Sequence, residues 1–175
     1  MRSAFALFSC VVILGLVNFS IARKERLLES GRVVYLELAP VDPRSLMQGD
    51  YMALRFKLAN EARPAMKRAE ARETPSFRFN QQRDLATDNG RIVAVLDDSS
   101  IAHYRRLDDG QPLASDEIYL SYRVREGEIK FATNAFFFQE GTANRYGLAR
   151  YGEFRVAPKG ELLLTGLRSG NLRPL

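Results

Sequence analysis

The chain has 175 residues, enough for one domain with one core rather than two. Its 46% hydrophobic and 27% charged residues exclude global disorder, and its formal charge of +5, with 26 Lys and Arg interspersed among 21 Asp and Glu, supplies no basic stripe. With no base-stacking motif either, nucleic acid is excluded as a partner, and the single Cys10 leaves the rest of the chain without a disulfide framework, zinc-thiolate site or thiol nucleophile.

Residues 4–21 read AFALFSCVVILGLVNFSI, an 18-residue stretch in which only Ser9, Asn18 and Ser20 are polar. At about 1.5 Å per residue a helix of this length reaches roughly 27 Å, close to a bilayer core, so one N-terminal transmembrane helix is expected. Arg2 precedes the run, and Arg23, Lys24, Glu25 and Arg26 follow it at the headgroup level. An uncleaved anchor is favoured over a cleaved signal peptide because the run is longer than most signal-peptide cores. Ser20 and Ala22 are small enough for a cut, but the charged residues behind them disfavour it. A lipoprotein reading through Cys10 fails on the bulky Phe8 before it and on its early position. The charge count alone, three basic residues after the run against Arg2 and the amino terminus before it, favours a cytoplasmic domain.

A short helical stub over 25–30 ends at Gly31, and residues 32–39, RVVYLELA, predict a strand stopped by Pro40. After a turn, residues 51–58 alternate, with Met52, Leu54, Phe56 and Leu58 on one face and Tyr51, Ala53, Arg55 and Lys57 on the other, the period of a strand buried on one side. Residues 60–89 are rich in Ala, Arg and Glu and predict a short helix over 64–72, with Pro64 in its first turn, before an irregular loop. Further strands are expected at 91–96 and 101–107, separated by the Asp97-Asp98-Ser99-Ser100 turn and followed by Asp108-Asp109-Gly110. Ile118, Leu120, Tyr122 and Val124 share a face of the next strand, and Glu126-Gly127 makes a hairpin into Ile129 and Phe131. One helical turn is placed within 144–150, and Pro158-Lys159-Gly160 joins strands over 153–157 and 161–166. The expected fold is α+β and β-rich: a mainly antiparallel bent sheet or small open barrel with one or two short helices.

Residues 49–56, GDYMALRF, resemble the signature of the GDYXXLXY family, a set of bacterial membrane-anchored proteins. Gly49, Asp50, Tyr51 and Leu54 match, and Phe56 replaces the final Tyr, keeping the ring and losing the hydroxyl. The similarity continues through the lead-in Pro40-Val41-Asp42-Pro43-Arg44-Ser45-Leu46 and through FFFQEG at 136–141 and YGEFRV at 151–156, covering most of 31–168. The resemblance implies one N-terminal transmembrane segment with the domain on the periplasmic side of the bacterial inner membrane, and for some members a gene neighbour that is a multi-span membrane protein. It implies no activity, since none is established for the family.

The same residues have a physical reading without function. Asp42 can cap a helical turn beginning at Pro43, Gly49 can supply a positive φ, and Asp50 can accept from nearby amides. Leu54 and Phe56 then face the core. The alternative is a binding surface around Asp42, Arg44, Asp50 and Tyr51, with Glu140 retained from the FFFQEG block.

No catalytic set emerges. Residues 45–51 are similar to the stretch after the nucleophile of bacterial signal peptidases, yet the aligned position for that nucleophile falls in 39–42, which holds no hydroxyl, and nothing places Lys130 near Ser45. The only histidine, His103, reads as a solvent-facing strand residue, and the Asp pairs read as turn residues rather than metal ligands. No cofactor is implied. The sequence therefore divides into a 1–26 anchor and a 27–175 periplasmic domain, a single-pass inner-membrane protein whose expected role is a non-enzymatic accessory module contacting a membrane protein. The alternatives are an envelope hydrolase using Asp42, Asp50 or Glu140, or a small-ligand sensor with a pocket lined by Phe136, Phe137 and Tyr151.

Overall fold

The computed structural model describes residues 2–39, 47–48, 51–73, 88–133 and 135–175, with side chains described from Phe8 onward except at 47–48 and 71–73. It is β-rich, with three helices among the described residues: α1 (Arg2–Ser30), α2 (Lys57–Glu73) and α3 (Ala143–Tyr146). The strands in chain order are β1 (Arg32–Glu37), β2 (Met47–Gln48), β3 (Tyr51–Ala53), β4 (Asn89–Leu96), β5 (Ala102–Leu107), β6 (Glu117–Arg125), β7 (Glu128–Lys130), β8 (Ala135–Phe137), β9 (Ala149–Val156) and β10 (Leu162–Ser169).

They form three antiparallel sheets, ordered β1-β9-β10, β2-β3-β8 and β5-β4-β6-β7. Backbone bonds stitch the sheets into a half-barrel. The Tyr35 amide donates to Ser100 O at 2.9 Å beside a parallel bridge from Tyr35 to Ile101, tying β1 to the start of β5. On the other side the Ser121 amide donates to Gly160 O at 2.8 Å, tying β6 to the β9–β10 turn. An antiparallel bridge between Leu38 and Phe56 joins the end of β1 to the chain leaving β3.

The alternation read over 118–124 holds in β6, and β1 alternates likewise. Val34 and Leu36 of β1 and Ile118, Leu120, Tyr122 and Val124 of β6 are buried, around a centre made by Phe131, Phe154, Ile92 and Leu167. The β6–β7 turn is two residues long with φ of 55° at Glu126 and 71° at Gly127, the geometry whose twist matches flanking antiparallel strands. Asp97 shapes the turn before β5 by accepting from the Ser99 and Ile101 amides, both at 2.9 Å.

The structure corrects several expectations. The strand over 51–58 ends at Ala53, and the helix over 64–72 begins at Lys57, so that Pro64 lies inside it rather than in its first turn. Leu58, Ala59, Ala62 and Met66 are all buried, a helical stripe whose packing outweighs the hydrogen bond that Pro64 withholds from the Asn60 carbonyl. At 17 residues α2 is not short. The stub over 25–30 is no separate element: α1 runs unbroken to Ser30, and Leu27 in its last turn belongs to the buried hydrophobic set. The 4–21 run lies only partly within the described side chains, and among the described residues no helix is long and apolar enough to cross a membrane.

Candidate interaction surface

Of the residues singled out from the sequence, Asp42, Arg44, Gly49 and Asp50 lie outside the described residues. The rest of the signature is a packing device. Leu54 and Phe56 are buried, and the Phe56 ring meets Phe154 edge-on at 5.5 Å and Phe131 at 6.2 Å. A Cβ on Gly152 would stand 2.9 Å from the Phe154 ring and 3.1 Å from the Phe56 ring, so glycine is what lets Phe56 lie over β9. Two of the similar sequence blocks are also neighbours in space, because β3 of GDYMALRF pairs with β8 of FFFQEG. Tyr51 stands directly across from Phe137, with ring centroids 5.8 Å apart and Phe137 74% exposed.

Glu140 is exposed in the turn after β8. Phe136 and Phe137 point to opposite sides of their strand, Phe136 packing on Tyr146 at 5.1 Å and Phe137 on Tyr51, while Tyr151 sits across β9 from Glu37 and Arg168. Alternation along β8 therefore keeps the two Phe rings from lining one pocket together with Tyr151.

His103 is exposed on β5, its Nε2 3.4 Å from Asp97. Partial burial works to raise the Asp97 carboxyl, but the bonds from Ile101, His103 and Ser99 outweigh it and hold the group below the usual carboxylate value. Asp108 accepts from Gly110 N at 3.1 Å and pairs with Arg91, and Asp109 pairs with Arg106, so both serve their turn. Among the described residues no group of His, Cys, Asp and Glu could hold a metal ion. Lys130 faces Glu126 at 3.6 Å, and Ser45 lies outside the described residues.

A polar array that sequence reasoning left unassigned covers the outward face of β1-β9-β10. Glu153, the buried charged residue among those described, receives Arg168 Nε at 2.5 Å on one carboxylate oxygen and lies 3.1 Å from the Thr165 hydroxyl on the other. One pair further along, Lys57 donates to Glu37 at 2.9 Å, and that bond and charge push the Lys57 ammonium above its usual value. Tyr151 lies between, in register with both Glu37 and Arg168. The signal for Glu153 was its place in YGEFRV, an acid next to a core Phe, but only the cross-strand register shows its partners. Glu37 and Glu153 are each neutralised by a basic neighbour, Lys57 and Arg168.

The helix α1 is the other unusual surface. Val11, Val12, Ile13 and Leu14 are consecutive, so at 100° per residue they point to all sides of the helix, and all are exposed, as is Phe19 at 71%. Its last turns are fixed to the sheet: Leu27 is buried, Arg155 Nη1 donates to Gly31 O at 3.1 Å, and Glu161 accepts Arg23 at 2.5 Å and Lys24 at 2.6 Å. The bonded Lys24 ammonium holds the Glu161 carboxyl below its usual value; partial burial opposes this and Arg23 assists it.

The family model described as GDYXXLXY protein matches residues 13–167. No curated protein and no solved structure matches the chain. The match spans α1 from Ile13 through most of β10 and takes in all four of the similar sequence blocks, and on that ground the chain belongs to the GDYXXLXY family.

Proposed function

We propose that this protein is a single-pass inner-membrane protein whose β-rich domain stands on the periplasmic side and serves as a non-enzymatic accessory module for a membrane protein partner. The observation that carries the reading is the exposure of apolar side chains all round α1, from Phe8 to Ile21, on a helix whose far end is fastened to the domain by Leu27 and Glu161. A helix apolar on every side requires lipid or another protein around it. The sequence before Phe8 extends the same apolar character to Ala4. The periplasmic side follows the family resemblance, against the charge count across the run. The accessory role is supported by the exposed Phe137 ring, which packs on the half-buried Tyr51 and offers an aromatic surface suited to docking.

Two measurements test it. Alkaline carbonate should leave the chain in the membrane pellet, and its release into the supernatant would remove the anchor. Affinity purification from detergent-solubilised membranes should recover a stoichiometric multi-span protein, whose absence would remove the accessory role.

A further inference from the structure

A cleft of about 610 Å³ opens where α1 meets the β9–β10 hairpin and β6. Five basic side chains line it, Arg23, Lys24, Arg123, Lys130 and Lys159, against the single carboxylate of Glu161. Glu161 is already taken by Arg23 and Lys24. Among the described residues the other three cations are held loosely or not at all. Arg123 gives one of its donors to the Ala132 carbonyl at 2.7 Å, and Lys130, itself 18% exposed, stands 3.6 Å from a Glu126 side chain that is 89% exposed. Lys159 stands exposed at the tip of the hairpin. A second cavity of about 530 Å³ beside the last turns of α1 shares Arg23, Lys159 and Glu161 with the first and adds Arg26. Ser121 and Thr133 add hydroxyls to the lining of the first cleft, and Leu162, Leu163 and Leu164 add apolar surface.

The position of this cleft is as informative as its charge. Arg23 follows Ile21, the last residue of the apolar run, by two residues, or roughly 3 Å along the helix axis. In a helix that spans a bilayer, that is where phosphates lie. We propose that the cleft binds the phosphate of an anionic phospholipid headgroup from the membrane that α1 enters, with Arg123, Lys130 and Lys159 as its principal contacts. The proposal rests on the membrane reading of α1 and adds to it a lipid preference. Bound there, a headgroup would bridge α1 to the hairpin and fix the tilt of the domain over the bilayer.

The test uses the full chain in nanodiscs of phosphatidylcholine alone or of an equal mixture with phosphatidylglycerol, with native mass spectrometry of the lipids that leave with the protein. Preferential retention of phosphatidylglycerol is expected. K159Q, at an exposed turn position, should lower that preference about fivefold, and the triple variant R123Q/K130Q/K159Q about 100-fold. Insertion into both discs with no preference, or a preference unchanged in K159Q, overturns the inference and leaves the membrane reading standing. Failure to insert into either disc removes the membrane reading instead. Inorganic phosphate offered to protein in phosphatidylcholine discs supplies the last arm: binding there without any phosphatidylglycerol preference would make the ligand soluble phosphate and also overturn the inference.

Discussion

The ring of Phe56 stands edge-on to that of Phe154 in space that Gly152 leaves open. Through this contact the end of the family signature is locked onto a strand almost a hundred residues downstream, and the half-barrel closes around it. Filling the space should therefore disturb two rings at once. Gly152→Ala places a methyl group 2.9 Å from Phe154 and 3.1 Å from Phe56, and should cost about 1–3 kcal/mol. Phe56→Ala, which empties a buried site, should cost about 3–5 kcal/mol. Denaturant unfolding of the detergent-solubilised protein measures both, and a neutral G152A would show that the rings have room the geometry denies them.

Glu153 and Arg168 should be worth more as a pair than as individuals. Arg168→Ala strips the guanidinium from a mostly buried carboxylate, and a loss of about 2 kcal/mol is expected. Replacing both together with Leu removes the stranded charge, so the double variant should be more stable than the single one. If the double variant is the less stable of the two, the pair stabilises the sheet outright.

Tyr122 gives an alkaline signature. Burial, with Asp88 and Glu70 adding negative charge nearby, pushes its phenol up to about 12 from the usual 10. A folded-state value raised above the unfolded one means that the contribution to stability is complete below pH 10 and is lost as pH rises through about 12. Burial raises the Tyr104 phenol as well, so ultraviolet titration should show a late-ionising tyrosine phase of which Tyr122→Phe removes the part near pH 12.

The fastening of α1 should weaken in acid. The Glu161 carboxyl lies below its ordinary value of 4.5 in the folded protein, so its contribution is present above that pH and disappears as pH falls through the lowered value. The pairs are partly exposed, so the effect is small, about 1 kcal/mol or less. Limited proteolysis near 22–31 should accelerate in acid for the native chain, whereas E161Q should already be cut faster at neutral pH and change little on acidification.

Much of this fold could be read in the chain. The buried alternation of β6, the two-residue turn at Glu126-Gly127 and the amide-accepting Asp97 are local devices, and local devices leave local signatures. The start of α2 did not, because Met52, Leu54, Phe56 and Leu58 satisfy a period of two while Leu58 also begins the helical stripe continued by Ala59, Ala62 and Met66. Pro64, a residue type favoured in a first helical turn, here lies inside the helix. Glu153 was legible only as part of a block, since its partners Thr165 and Arg168 are set by the register of β9 and β10, which includes a bulge between Leu164 and Gly166. The basic cleft joins residues from 23 to 159, and no spacing in the sequence announces it.

The proposed periplasmic placement of the domain decides most of this account, because the charges flanking the 4–21 run and the family resemblance point opposite ways. A paired reporter at the carboxyl terminus measures it directly. Active alkaline phosphatase with a dark green fluorescent protein fusion is the predicted result. Bright fluorescence with inactive phosphatase would place the domain in the cytosol and contradict the proposed role.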